Sequence, residues 1–160
     1  MYRIKLRHIF ISPEHGYVGQ VPEHARKQQM RSTDEVECVA SKGLRGDRFF
    51  NHKDNYKGQI TFFSAEVFEA ACAHVGASDC PPWAMRRNVM TEGIDLNELI
   101  GREFEIQGVR FYGTQECAPC CWMDRMVGPG AKDFLKGRGG LRARILKSGT
   151  LRCGETLLTL

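Results

Sequence analysis

The sequence predicts a mainly β fold, a closed or nearly closed barrel with a few short peripheral α-helices. Residues 2–12 alternate polar and apolar side chains, the two-residue period of a half-buried strand. Further short β-rich runs follow, separated at close spacing by Gly, Pro and Ser turn residues. Helical composition is confined to brief stretches, and no repeat appears. Short strands broken by frequent turns are the pattern of a small barrel, which closes its sheet and leaves no free edge.

The elements follow in order. Pro13 ends the first strand and leads into the loop His15-Gly16-Tyr17-Val18-Gly19. Residues 22–33 are polar and basic and read as an exposed excursion. Residues 35–41 alternate again as a second strand, and residues 43–48 form a tight turn region. Residues 59–63 (QITFF) are β-rich. Ser64 is a good N-cap, because its hydroxyl can accept from a free first-turn amide, so a helix is expected over 65–74, ending at Gly76. Pro81-Pro82 forces an extended link, and residues 88–91 form a strand. Asp95 with Glu98 resembles a capping box opening a helix of one or two turns that stops at Gly101. Gln107-Gly108 joins 103–106 to 109–112 as a hairpin. Pro119 suits a first helical position, which would put Cys120 in the first turn of a short helix. Residues 131–136 are helical, and 141–146, 151–153 and 156–160 complete the strands. No domain boundary breaks the chain, so residues 1–160 read as one domain.

Composition narrows the function. The 160 residues suffice for one real core. No apolar run approaches the roughly 20 residues of a membrane span. The first residues read as a strand rather than a signal peptide, so a cytoplasmic protein is expected. Net charge is +4, but the basic residues are scattered through Lys42 and Arg45, Arg86 and Arg87, and residues 136–144. If these segments converge, they suit an anionic small ligand better than nucleic acid, which favours a continuous basic stripe. Seven cysteines is an odd number, so a disulfide framework is not expected. Cys38, Cys72, Cys80 and Cys153 sit singly and read as small core or half-buried residues.

Cys117, Cys120 and Cys121 cluster instead. A thiol in a first helical turn faces free N–H groups and the positive end of the dipole, which favours thiolate, the form that binds soft metals or carries sulfur. Cys117 and Cys120 also make a C-x-x-C pair. No second pair or His motif completes a zinc set, and no βαβ unit surrounds it as in a dithiol oxidoreductase. In Gly43-Leu44-Arg45-Gly46-Asp47-Arg48, Arg45 and Arg48 could bind phosphate through forked hydrogen bonds, with Asp47 orienting an arginine or capping a turn. The spacing is not that of a nucleotide loop. In Met85-Arg86-Arg87-Asn88, a strand would put Arg86 and Asn88 on one face, aimed at a ligand, and leave Arg87 to a surface or structural role. Arg138-Gly139-Gly140 before a strand suggests close backbone approach or a bulge.

In order along the chain, GLRGDR (43–48), KGQITFFSAE (57–66), RRNVMTEGIDLNELIG (86–101), EFEIQGVRFYGT (103–114), APC (118–120), RGGLRARIL (138–146) and Cys153-Gly154-Glu155 resemble the MOSC family, named for the C-terminal domain of molybdenum cofactor sulfurase. The resemblance runs from roughly residue 35 to the end. His15-Gly16 and its neighbours resemble the opening loop of short stand-alone members. Phe49 stands where many relatives have His. The resemblance implies a β-barrel whose APC cysteine, Cys120, ligates molybdenum or carries a persulfide. It implies a molybdenum cofactor (molybdopterin) held by Arg86 and Asn88, with Arg45, Asp47, Arg48, Arg138 and Gly139 as further candidates. Three functions follow as expectations: a reductase of N-hydroxylated compounds with Cys120 as metal ligand, a sulfur carrier holding a persulfide on Cys120, or a non-catalytic cofactor-binding module. No haem, flavin or zinc motif is visible, so a reductase would need an electron-donor partner, and a sulfur carrier a cysteine desulfurase. No nucleic-acid or membrane partner is expected.

Overall fold

The computed structural model describes residues 1–13 and 30–160. The order is β1 (Tyr2–Ile11), β2 (Arg31–Thr33), β3 (Glu35–Val39), β4 (Gly43–Leu44), β5 (Ile60–Ser64), α1 (Ala65–Val75), a 3-10 turn (Pro82–Met85), β6 (Val89–Glu92), a second 3-10 turn (Leu96–Leu99), β7 (Glu103–Ile106), β8 (Val109–Glu116), α2 (Cys121–Met126), α3 (Ala131–Leu135), β9 (Leu141–Lys147), β10 (Gly149–Arg152) and β11 (Gly154–Thr159). The strand order β11-β7-β8-β9-β5-β6-β1, with β1 paired again to β11, closes a seven-stranded barrel. β2 extends this sheet beyond β1, and β10, β3 and β4 form a small second sheet.

β1 is central to the closure. It pairs antiparallel with β11 from Tyr2↔Leu158 to Leu6↔Gly154 and with β6 from Lys5↔Glu92 to Ile9↔Val89. Ile4 and Leu6 point into the barrel, as the alternation requires. The register against β6 then slips between Leu6 and His8. Beyond the slip Ile9, Phe10 and Ile11 are all buried, because apolar layers now cover both faces of the strand. Ile9 and Ile11 belong to the barrel core, with Phe62, Phe104 and Phe111 at its centre. Phe10 belongs to a second core outside the barrel, built with Phe63, Phe68, Met85, Met90, Trp122 and the short helices.

The local signals act as expected around α1. Ser64 accepts from the Val67 N–H, and Gly76 takes the left-handed conformation at the other end. α1 crosses over from β5 to β6, which run parallel, and such a crossover needs a long connection. Asp95 caps the second 3-10 turn by accepting from the Asn97 N–H. Gln107 (φ 52) and Gly108 (φ 79) make the two-residue turn of the β7–β8 hairpin, whose twist requires both at positive φ.

Three expectations are corrected. Within the segment read as an exposed excursion, Arg31–Thr33 is a strand paired to Ile9–Ile11; its remainder, 22–29, lies outside the described residues, as does the His15-Gly16 loop. Residues 86–88 are not strand: Arg86 ends a 3-10 turn in the left-handed region (φ 57), and β6 begins only at Val89. The helix expected from Pro119 begins at Cys121, with Cys120 as an extended N-cap (φ −130, ψ 178). The reason for the last lies in the site itself.

Candidate functional site

The segment before α2 is held by groups distant in sequence. Arg87 is 8 % exposed. Its Nε donates to the Gly139 carbonyl at 3.1 Å and Nη1 to the Met85 carbonyl at 3.1 Å. Its Nη2 donates to the carbonyls of Cys117 at 3.1 Å and Ala118 at 3.4 Å. The Cys117 N–H donates to the Gly140 carbonyl at 2.8 Å. A side chain at Gly139 would overlap the Cys117 carbonyl and crowd the Pro119 ring. Glycine therefore lets this segment seat on the 139–140 backbone. With its carbonyls turned to Arg87, the chain runs extended through Cys120 and coils only afterwards.

The Cys120 side chain is exposed and caps no helix amide. It stands at a cavity of about 380 Å³, within the roughly 300–1,000 Å³ of small-molecule sites. Asp47, Arg48, Arg86, Arg87, Asn88, Cys117, Cys120 and Arg142 contribute to the walls, so four arginines face two carboxylates, Asp47 and Glu116. Such a surface favours an anion.

Each charged wall residue is fixed differently. Asp47 is buried and accepts from the Ser12 N–H at 2.8 Å and the Phe49 N–H at 3.3 Å. Burial raises its carboxyl above the ordinary value, against those donors and Arg48. Asp47 thus ties the loop to the end of β1. Arg48 lies over the Phe49 ring at 4.7 Å, and burial lowers its pKa. Arg86 stacks over Trp122 at 5.2 Å, and the indole N–H is anchored to the Ala84 carbonyl at 2.9 Å. Arg142, on β9, crosses Gly58, where a Cβ would come within 2.8 Å of its Nε. Cys117 is half-buried, and its thiol pKa is raised by burial, opposed by Arg87 and Arg142.

The cavity gathers Asp47, Arg48, Arg86, Asn88 and Cys120 from the residues singled out in the sequence. Asn88 has its amide engaged by the scaffold. Its Oδ1 accepts from the Thr61 N–H and hydroxyl, both at 3.0 Å, and its Nδ2 donates to the Phe10 carbonyl at 3.1 Å. Gly139 supports the cysteine segment from below. Arg45 and Arg138 lie outside. Arg45 pairs with Glu37 at 2.6 Å on the surface. Arg138 donates to the Phe134 carbonyl at 2.9 Å and lines a second cavity with Glu66, Asp95 and Lys136. Tyr56 and Arg142 also line the cavity, and neither stood out in the sequence. For Arg142 a signal existed: in 141–146 the arginines alternate with apolar residues, which sets Arg142 and Arg144 on one strand face.

Among the described residues no three His, Cys, Asp or Glu side chains gather as a ligand set. A soft thiol beside arginine-lined space suits a metal carried on an anionic organic frame.

Comparison with curated proteins gave no match. Among solved structures, the YuaD protein from Bacillus subtilis superposes with a TM-score of 0.78 at 16% identity, over 99% of this chain and 97% of that one. YiiM from Geobacillus stearothermophilus gives 0.68 at 14% identity, over 98% of this chain and 75% of its own. YiiM from Escherichia coli gives 0.63 at 13% identity, over 100% and 70%. These likenesses establish the barrel fold. The MOSC domain family matches residues 48–158, from the arginine at the cavity wall to the strand that closes the barrel. The chain belongs to the MOSC domain family.

Proposed function

We propose that the cavity binds a molybdenum cofactor through an anionic pterin, with Cys120 as the protein's metal ligand, and that the protein reduces N-hydroxylated compounds. The carrying observation is that an exposed cysteine shares one cavity of about 380 Å³ with four arginines. When bound, the cofactor would supply two-electron chemistry that removes oxygen from the substrate. The chain's own residues bind and orient. The Cys120 thiolate provides a soft ligand. Arg48, Arg86 and Arg142 offer forked donors to phosphate oxygens. Trp122 sets the plane of Arg86, and Arg87 fixes the backbone that carries Cys120. An electron donor would come from a partner reductase.

Metal analysis and pterin fluorescence decide the matter on protein made in a host that synthesises the cofactor. Wild type should retain molybdenum and pterin together, and Cys120→Ala should lose the metal. Retention of neither by wild type overturns the reading. Retention of both without reduction, under any electron donor, leaves a non-catalytic binding module.

The exposure of Cys120 beside the half-buried Cys117 favours a second reading, a sulfur carrier. Incubation with a cysteine desulfurase should then add the mass of one sulfur atom. An adduct that persists in Cys120→Ser refutes that reading.

A further inference from the structure

Cys72 and Cys80 are eight positions apart, one in α1 and the other in the link that follows it, yet the fold brings them together. Cys72 lies in α1. At the end of this helix the Gly76 N–H returns to the Ala73 carbonyl and the Ala77 N–H to the Cys72 carbonyl at 2.9 Å, which reverses the chain. Pro81 is extended (φ −74, ψ 143) and disfavours helical backbone at Cys80 before it, so the helix does not resume there. The two thiols lie close enough for each to affect the other's ionisation. The Cys80 thiol also reaches the Met126 carbonyl, at the end of α2, at 3.3 Å. Both side chains are half-buried against the second core.

We infer that Cys72 and Cys80 form an oxidisable pair, a site where a disulfide closes the segment after α1. Hydrogen peroxide is a sufficient oxidant. The Cys72 thiolate attacks one peroxide oxygen, the O–O bond breaks and hydroxide leaves, giving a sulfenic acid. The Cys80 sulfur then attacks that sulfur; the S–S bond forms, the S–O bond breaks, and water leaves with the Cys80 proton. In sum two thiols lose two hydrogens and two electrons, and one peroxide becomes two waters. A bond of about 2.05 Å forms between the neighbouring sulfurs, so side-chain rotation must bring them together.

The surroundings set the speed. Burial raises both thiols, Cys80 to about 12, so little thiolate is present and the pair closes slowly. Poorly acidic thiols are also poor leaving groups, so the closed pair reopens slowly. The site is a slow latch rather than a quick sensor. Its closure removes the thiol donor from the Met126 carbonyl and so loosens the end of α2, the helix whose Trp122 supports Arg86. The proposal stands apart from any cofactor.

The test is peroxide treatment of the full chain, alkylation of remaining thiols, and digestion without reductant. Residues 58–85 contain no Lys or Arg, so trypsin leaves both cysteines on one peptide, and cleavage before Asp79 separates them. The expected product is a Cys72–Cys80 linked pair two hydrogens lighter than its parts, abolished by reductant and absent from Cys72→Ser. Recovery of both residues as separately alkylated or singly oxidised species in wild type overturns the proposal. So does a wild-type disulfide that joins Cys80 to any other cysteine.

Discussion

Replacing Arg87 by methionine keeps much of the side-chain volume and removes every donor. Four carbonyls, those of Met85, Cys117, Ala118 and Gly139, then lose their shared partner inside the protein. A charged hydrogen bond contributes about 1.5–3 kcal/mol net, and a buried acceptor left unpaired costs roughly 1–3 kcal/mol. The bond to Ala118 is long, and the four acceptors share one guanidinium, so the contributions do not add. A loss of about 3–5 kcal/mol is expected, well below the sum of four separate charged hydrogen bonds. That is a large part of a typical total stability of about 5–15 kcal/mol. Equilibrium urea unfolding measures it. Alkylation of Cys117 and Cys120 under native conditions reports the local effect: Cys117, half-buried in wild type, should react faster. Arg87→Lys should recover only a minor part, since one ammonium cannot span four carbonyls. A methionine variant within about 1 kcal/mol of wild type, with Cys117 still protected, refutes the clamp.

Gly139→Ala forces the Cys117 carbonyl and Pro119 to move, with an expected cost of roughly 1–3 kcal/mol and an altered alkylation rate at Cys120. Asn88→Ala leaves the Thr61 N–H and the Phe10 carbonyl without their partners; thermal unfolding should show a loss of roughly 1–3 kcal/mol. For Cys38, burial raises the thiol from 9.0 to about 12. Its contribution is whole below pH 9, where both states hold the proton. It is lost as pH rises from 9 towards 12, because the unfolded chain ionises first, at up to about 1.4 kcal/mol per pH unit. Urea melts at pH 8, 9 and 10 should show a shallower decline for Cys38→Ala than for wild type; equal slopes reject the assignment.

What the sequence revealed was local. The Ser64 and Gly76 caps and the Gln107-Gly108 turn were legible because each depends on residues a few positions apart. The Arg31–Thr33 strand was not, since its partner is Ile9–Ile11 across a long connection. Pro119 misled for a similar reason: a helix could start there by propensity, but the buried Arg87, thirty residues earlier, holds the carbonyls of Cys117 and Ala118. Periodicity also failed at 86–88. It assumed strand, whereas Arg86 sits in the left-handed region after a 3-10 turn, so face assignments by alternation do not apply. Within GLRGDR the turn sends Arg45 to Glu37 and Arg48 to the cavity, a division that spacing alone does not encode. The cysteine segment was legible as a cluster; the reason it is extended was not.

β1 bonds to β11 along five consecutive residue pairs, so the ring is completed by its first and last strands. During synthesis β1 can meet β2 and β6 early, but its β11 side stays unpaired until the last strand of the barrel is made. Until then Ile4 and Leu6 have only part of their eventual covering, and the half-made sheet keeps an open edge that other chains could join. Pairing of such distant segments also slows folding, because the loop must close before its contacts form. A nascent chain of this topology gains from any factor that shields its first strand until Thr159 is free.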